Sequence, residues 1–342
     1  MFLSETKKSM KLALAGLLAM TMLLSACGNN NGGNAANSSA APAATAEGAA
    51  EATTAPSETA APAAEKTVKD AMGHEVTVPA NPQRVLGSYL EDYLVTLGVT
   101  PVAQWSIANG GVQDYLSDPL KDVPEISFDL PLEAVTSFAP DFHIVQSEGS
   151  VQNGLYDQLN KIAPTYVLGD EISKDWRKAL LTIADLLNKT PEAEKAIADY
   201  EQKAADAKEK ITASFGEKSV AILWLVQKNF FIVDETRASG AVLYGDIGLQ
   251  LPNLVTDIPA ESRATWNPIT LEKLAELTAD HIFLVNSDQT DASDILNGPI
   301  WQGIPSVKAG KVTELSATSS WLYSGAYANT KTIDDAVSAL VK

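Results

Sequence analysis

Apolar residues three apart mark two stretches of the chain that end alike. Leu132, Val135 and Phe138 precede Asp141 and the run Phe142-His143-Ile144-Val145; Leu271, Leu274 and Leu277 precede Asp280 and His281-Ile282-Phe283-Leu284. In each case this predicts a short amphipathic helix, a polar stop and a buried strand. A glutamate, Glu133 or Glu272, stands in the first turn of each helix. The units lie 139 positions apart, far beyond the period of a stacked repeat. They predict two similar α/β lobes.

Elsewhere strand and helix patterns alternate. Lys66–Val78, with Gly73 inside it, predicts an opening hairpin. Arg84–Ser88 and Val102–Trp105 have strand character and flank a helix at Glu91–Leu97 that Gly98 closes; Asp175–Asn188 is an amphipathic helix. Val220–Val226 and Phe230–Val233 are strands expected to pair, Gly240–Gly248 is a helix, and Ile333–Val341 a closing amphipathic helix. Such alternation predicts mainly parallel sheets covered by helices. Between the halves, Thr190 as cap and Pro191 at the first helical position open a helix rich in Ala, Lys and Glu, which runs to about Ser214 and stops at Gly216. It spans about 35 Å. Its few large apolar residues fit a partly solvated spine over 190–216, joining lobes 66–189 and 217–342.

Composition changes the picture at the N-terminus. Lys7, Lys8 and Lys11 precede an apolar run, Leu12–Leu24, too short for a stable bilayer span. Leu24-Ser25-Ala26-Cys27 follows, so residues 1–26 are expected as a secretory signal. Cys27 is the single cysteine in 342 residues. Disulfides are therefore excluded, and Cys27 is the expected acylated first residue of a lipoprotein. Gly28–Glu65 lacks Val, Ile, Leu, aromatic and basic residues and has nothing to offset the entropy of ordering. Residues 27–65 thus form a lipidated tether of roughly 30–37 Å root-mean-square reach. The net charge of −18 argues against nucleic acid and anionic lipid as partners and favours docking on a basic surface. A monomer held at the extracytoplasmic face of the cell membrane is expected.

Candidate chemistry lies in the loops a cleft would use. Tyr89 follows the first strand, Trp105 ends the next, and Trp224 lies in the first strand of the second half. Arg237 and Arg263 stand in polar loops, and Trp321 and Tyr323 precede the last helix. Amphipathic rings with a few arginines suit a bulky polar ligand with buried negative charge. Trp301, beside Pro299 and Ile300, reads as structural. His74, His143 and His281 form no close ligand cluster, so direct metal binding by side chains is not expected. Neither a phosphate loop nor a serine elbow is present, so no catalytic residue is assigned. A helix that follows a strand starts at the carboxyl edge, where ligands sit. Glu133 and Glu272 are therefore expected on the ligand-facing edges, either complementing helix dipoles or forming a matched pair of acidic knobs for two symmetry-related basic partners.

Together these features resemble the ferric-siderophore substrate-binding lipoproteins of ABC importers, chiefly of Gram-positive bacteria. The signal and Cys27, the tether, the Arg84-Val85 opening strand, the polar spine, the two glutamate-bearing units and the ending Trp321–Asp335 carry the resemblance. It covers essentially all of Lys66–Lys342 and is most specific in Trp266–Leu284 and Trp321–Asp335. It implies the class III periplasmic-binding-protein fold, an α/β architecture of two Rossmann-like lobes joined by one long rigid α-helix, with little hinge motion and a shallow cleft. It further implies no enzyme activity, an iron(III)–siderophore complex as ligand, and no other cofactor. The partners would be ABC-transporter permease subunits, whose arginines pair with Glu133 and Glu272. The family's pocket aromatics and basics match Trp105, Trp224, Arg237, Arg263, Trp321 and Tyr323. Hydroxamate binders of the family often carry an arginine two residues after the second-lobe strand tryptophan, where this chain has Val226. Hydroxamate, carboxylate and catecholate chelates stay open, with cobalamin or haem on the same scaffold as the alternative.

Overall fold

The first lobe is built on short parallel strands. A computed structural model describes residues 64–107 and 111–341; the signal, Cys27 and almost all of the tether lie outside the described residues. β1 (Lys66–Lys69) and β2 (Glu75–Val78) form the expected antiparallel hairpin. β3 (Val85–Leu86), β6 (Phe142–Val145) and β7 (Thr165–Val167) form a parallel sheet in the order β3-β6-β7. β4 (Gln104–Ser106) and β5 (Glu125–Ser127) make a separate parallel pair. Just before β4, the Val102 N–H donates to the Val85 carbonyl and ties that pair to β3.

The second lobe holds one mixed sheet in the order β10-β9-β8-β11-β12. Its strands are β8 (Val220–Val226), β9 (Asn229–Val233), β10 (Trp266–Ile269), β11 (His281–Asn286) and β12 (Val312–Ser316). β8, β11 and β12 are parallel, and β9 turns back along β8. Sequence reading missed β12 because an edge strand with one half-buried face carries no continuous apolar run.

The repeat is real at the level of hydrogen bonds. The Asp141 carboxylate accepts from the Gln83 and Arg84 N–H groups at 2.7 and 3.0 Å, and its own N–H donates to Arg84 O at 2.9 Å. Asp280 does the same to Ser219, at 2.9 Å in each direction. Each aspartate thus ties the foot of its lobe's first parallel strand to the strand beside it. The histidines are also matched. His143 Nδ1 lies 3.0 Å from Thr165 Oγ1 and His281 Nε2 lies 2.9 Å from Thr313 Oγ1, each on the neighbouring strand. Both are buried, and burial pulls His143 down to about 4. The repeat helices run Leu132–Ser137 and Leu271–Leu274.

A long helix, Thr190–Ser214, links the lobes. Lys189 rather than Thr190 occupies the cap position, and Thr190 with Pro191 forms its first helical residues. A narrow stripe of Ala193, Tyr200, Ala204, Ala207 and Ile211 is buried. The stripe packs into one core that takes Phe142 and Ile144 from the first lobe and Ile222, Phe283 and Val285 from the second. Polar ties cross the same junction. Arg177 reaches Asp246 at 3.2 Å, its guanidinium lies over the Tyr200 ring, and the Tyr200 hydroxyl donates to Asp246 at 2.6 Å. Separating the lobes would expose that shared apolar surface, which resists large hinge motion.

The helix expected at Gly240–Gly248 is instead a single turn, Ala238–Gly240, running into a π-helical segment, Ala241–Asp246. A methyl group on Gly240 would meet the Asp234 carbonyl oxygen at 1.6 Å. Only glycine lets this turn lie on the end of β9.

Candidate functional site

Two adjoining cavities of about 140 and 450 Å³ open beside the lobe junction, and Tyr89 and Gln146 stand in the walls of both. The smaller is lined by both lobes: Tyr89, Tyr93 and Gln113 from the first, Arg237, Trp266 and Tyr323 from the second. The larger belongs to the first lobe and includes Trp105 and Phe128.

Local structure explains the placements. Tyr89 leaves β3 with φ +64°, a left-handed conformation that a tyrosine adopts only when its surroundings hold it. Its ring stands edge-on to Trp105 at 4.9 Å and 6.3 Å from Tyr323, which lies 4.8 Å from Tyr115. Trp105, Tyr89, Tyr323 and Tyr115 therefore form one aromatic chain in which the second lobe's Tyr323 stands between first-lobe rings. Burial, then Tyr323 and Glu91, pushes the Tyr89 hydroxyl up to about 12, and burial raises Tyr323 as well. At neutral pH both rings offer neutral hydroxyls.

Two buried carboxylates stand behind this wall, at the start of the helix Glu91–Thr96. Asp92 Oδ1 accepts from the Tyr327 N–H at 3.1 Å, and Oδ2 accepts from the Ala328 N–H at 2.8 Å and the Tyr115 hydroxyl at 3.1 Å. A first-lobe carboxylate thus satisfies the first turn of the closing helix, Ala326–Leu340, in the second lobe. Burial outweighs these donors and lifts Asp92 to about 6. Glu91 accepts the Trp105 N–H at 2.6 Å and fixes that strand's approach. Its second oxygen is buried with no hydrogen bond among the described residues, and burial lifts the group to about 7.

The raised Glu91 value carries a pH prediction. From about 4.5 to 7 the native carboxyl keeps a proton that the unfolded chain has released, so its contribution to stability declines as pH rises through that window. Glu91→Gln removes the titration with little change of shape. Urea midpoints at pH 4.5 and pH 8 are expected to show native stability falling relative to Glu91→Gln by up to about 3 kcal/mol. Parallel pH profiles for the two proteins would contradict this.

The sequence-derived candidates divide. Tyr89, Arg237 and Tyr323 line the interlobe cavity, and Trp105 shares the adjoining one with Tyr89. Trp224 lies behind the wall: its Nε1 donates to Ser287 Oγ at 2.9 Å, and its ring supports Trp266 edge-on at 5.5 Å. Two further candidates also stand outside both cavities. Trp321 is fully buried, packs on Phe283 at 4.6 Å, and donates its indole N–H to Asp335 at 2.8 Å. With ring and N–H both satisfied inside the lobe, it is a core residue. Arg263 donates to both carboxylate oxygens of Glu235 at 3.0 and 3.1 Å, and its Nε donates to Ile258 O. Nη1 alone makes both contacts, so Arg263 is committed to an ion pair with Glu235, and neither cavity includes it. Trp301 is structural, stacked on Phe230 at 5.6 Å.

Sequence reasoning missed Trp266, Phe128, Gln113 and Gln146. Phe128 offered a signal, a large apolar residue between Ser127 and Asp129, and it is 57% exposed beside the larger cavity. Gln113 is buried, with an Oε1 that has no partner among the described residues.

Glu133 and Glu272 are both exposed and neither lines a cavity. Glu133 follows the carboxyl end of β5, and Glu272 that of β10, which runs in the direction of β8 and β11. Trp266 opens β10 and Glu272 follows its far end, so a strand's length, about 13 Å, separates that carboxylate from the second-lobe wall. Glu272 also takes hydrogen bonds from its own N–H and the Thr270 hydroxyl, which hold it below the usual carboxylate range. Among the described residues no three His, Cys, Asp or Glu side chains converge as a metal-ligand group.

A family model described as "Periplasmic binding protein" matches residues 90–318. The chain belongs to this family. It is a family of binding proteins rather than enzymes, and its two α/β lobes and linking helix are those seen here. The iron-uptake system-binding protein of Bacillus subtilis (strain 168) is 30% identical over 255 residues, covering 70% of this chain and 75% of that protein. The iron(3+)-hydroxamate-binding protein YxeB of the same organism is 26% identical over 256 residues, covering 72% and 76%. The triscatecholate siderophore binding protein FeuA from Bacillus subtilis, solved with ferri-bacillibactin, superposes with a TM-score of 0.62 at 25% identity, over 80% of this chain and 98% of that one. No described helix is long and apolar enough to cross a membrane.

Proposed function

We propose that this protein is a lipid-anchored extracytoplasmic receptor that captures an iron(III)–siderophore complex and delivers it to the permease of an ABC transporter. The observation that carries this reading is the interlobe cavity, whose walls bring Tyr89, Tyr323 and Trp266 around a guanidinium, Arg237, that has no carboxylate partner among the described residues. Aromatic faces pack the ligand's apolar surface, hydroxyls and amides meet its polar rim, and Arg237 offsets negative charge. Relatives named for iron and iron–hydroxamate binding support the choice of ligand. Cys27 would carry the lipid, residues 27–65 the tether, and Glu133 and Glu272 would dock the loaded lobes, 66–189 and 217–342, on basic permease surfaces on either side of the spine, 190–216.

Tryptophan fluorescence tests the ligand. Trp105 and Trp266 stand in the cavity walls, so titration with ferrioxamine B, ferric citrate or ferric enterobactin is expected to give saturable quenching with at least one chelate. Trp266→Ala is expected to weaken that binding about tenfold or more. Saturation by haem or cobalamin alone, with no response to any iron chelate, would overturn the reading in favour of the alternative ligands.

A further inference from the structure

We infer that the cleft takes an iron(III) chelate of zero or single positive net charge, of the tris-hydroxamate class, and discriminates against trianionic tris-catecholates. The inference rests on the proposed function and concerns which ligand the same site selects.

The two cavities carry few charges. Among the described residues that line them, Arg237 is the one basic side chain, and Asp92 and Asp129 are carboxylates. Arg263 is held by Glu235 and leaves no field to spare. The whole chain adds a background of −18.

Ligand charge follows from simple chemistry. Iron(III) with three hydroxamates, each −1, is neutral; with three catecholates, each −2, it carries −3. A trianion entering this cleft would exchange hydration for one guanidinium, and two further charges would stay uncompensated near Asp92 and Asp129. A neutral complex pays no such penalty. A pendant ammonium gains from the aromatic faces of Tyr89, Trp105, Phe128 and Trp266. Gln113 Oε1, without a partner among the described residues, is a buried acceptor on the wall and is unsuited to an anionic oxygen.

Named relatives of this chain take both kinds of chelate, so kinship leaves the choice to the cleft. The test is equilibrium titration of the mature chain, in one buffer, with ferrioxamine E (neutral), ferrioxamine B (+1) and ferric enterobactin (−3). Both ferrioxamines are expected to bind roughly a hundredfold or more tighter than ferric enterobactin. Charge rather than shape is isolated by Gln146→Lys, in the wall shared by the cavities, and by the exposed Asp129→Lys. Within each variant, ferric enterobactin is expected to gain about tenfold relative to ferrioxamine E. Ferric enterobactin binding as tightly as ferrioxamine E, or a preference unmoved by both lysine variants, would overturn the inference while leaving the siderophore reading standing. No binding of any chelate would overturn that reading and the inference with it.

Discussion

Reversing both exposed first-turn carboxylates, Glu133→Lys with Glu272→Lys, is expected to abolish chelate uptake by cells while leaving affinity in solution within about twofold. Both carboxylates are exposed, each in the first turn of a matched helix, and neither touches the cavities. A rim charge that meets a basic partner contributes to encounter and register, and two reversed charges convert attraction into repulsion at both contacts. Single reversals are expected to give intermediate uptake, because in the proposed docking each lobe meets one permease subunit. Uptake is read with radioiron-loaded chelate in cells lacking the native receptor, and affinity by fluorescence. An equal loss of affinity and uptake would place these carboxylates in ligand binding. Unchanged uptake would leave them the lesser role of completing their helix starts, for which Glu272 already has its own N–H and Thr270.

Alanine at position 325 is expected to be the most damaging small substitution at the lobe junction. Gly325 has φ +150°, and an added Cβ would lie 2.1 Å from Asp92 Oδ1 and 2.3 Å from its Cγ. The obstruction is itself a structural device, since that carboxylate accepts the Tyr327 and Ala328 N–H groups that start the closing helix. Moving Asp92 aside strands those donors and the Tyr115 hydroxyl in a buried site. The combined strain and lost hydrogen bonding is expected to cost about 2–4 kcal/mol, a fall in Tm of roughly 5–15 °C. Calorimetry of Gly325→Ala measures it, and a Tm within 2 °C of the native protein, an order-of-magnitude threshold, would contradict the strut. Affinity is expected to fall too, because Tyr323 and Ser324, on the strand side of the glycine, line the cavity.

What sequence reading recovered and what it missed have the same physical cause. Periodicity reports burial on one face, so the repeat and the longer strands β6, β8, β9 and β11 were visible as apolar spacing. The spine was visible as a polar run free of internal Gly and Pro, while the short strands β5, β7 and β10 were not recognised. The repeat's meaning was not. The aspartates tie strand feet, the histidines pair with threonines, and only the glutamates project outward. The edge strand β12 escaped because half-burial leaves no run of apolar residues. At the site, residue type alone could not separate Trp266 in the wall from Trp321 in the core, since an indole suits either. The distinction lies in long-range partners, Trp224 for the first and Asp335 for the second. Arg237 and Arg263 divide for the same reason: one faces the cavity and the other is closed off by Glu235.

The most direct measurement is the position of bound iron. Crystals of the mature chain grown with ferrioxamine B, with data collected on both sides of the iron absorption edge, are expected to show one anomalous peak per molecule, between the first-lobe wall of Tyr89 and Gln113 and the second-lobe wall of Arg237 and Trp266. A chelate seated outside that junction, or a cleft that stays without iron while the chelate demonstrably binds, would contradict the account.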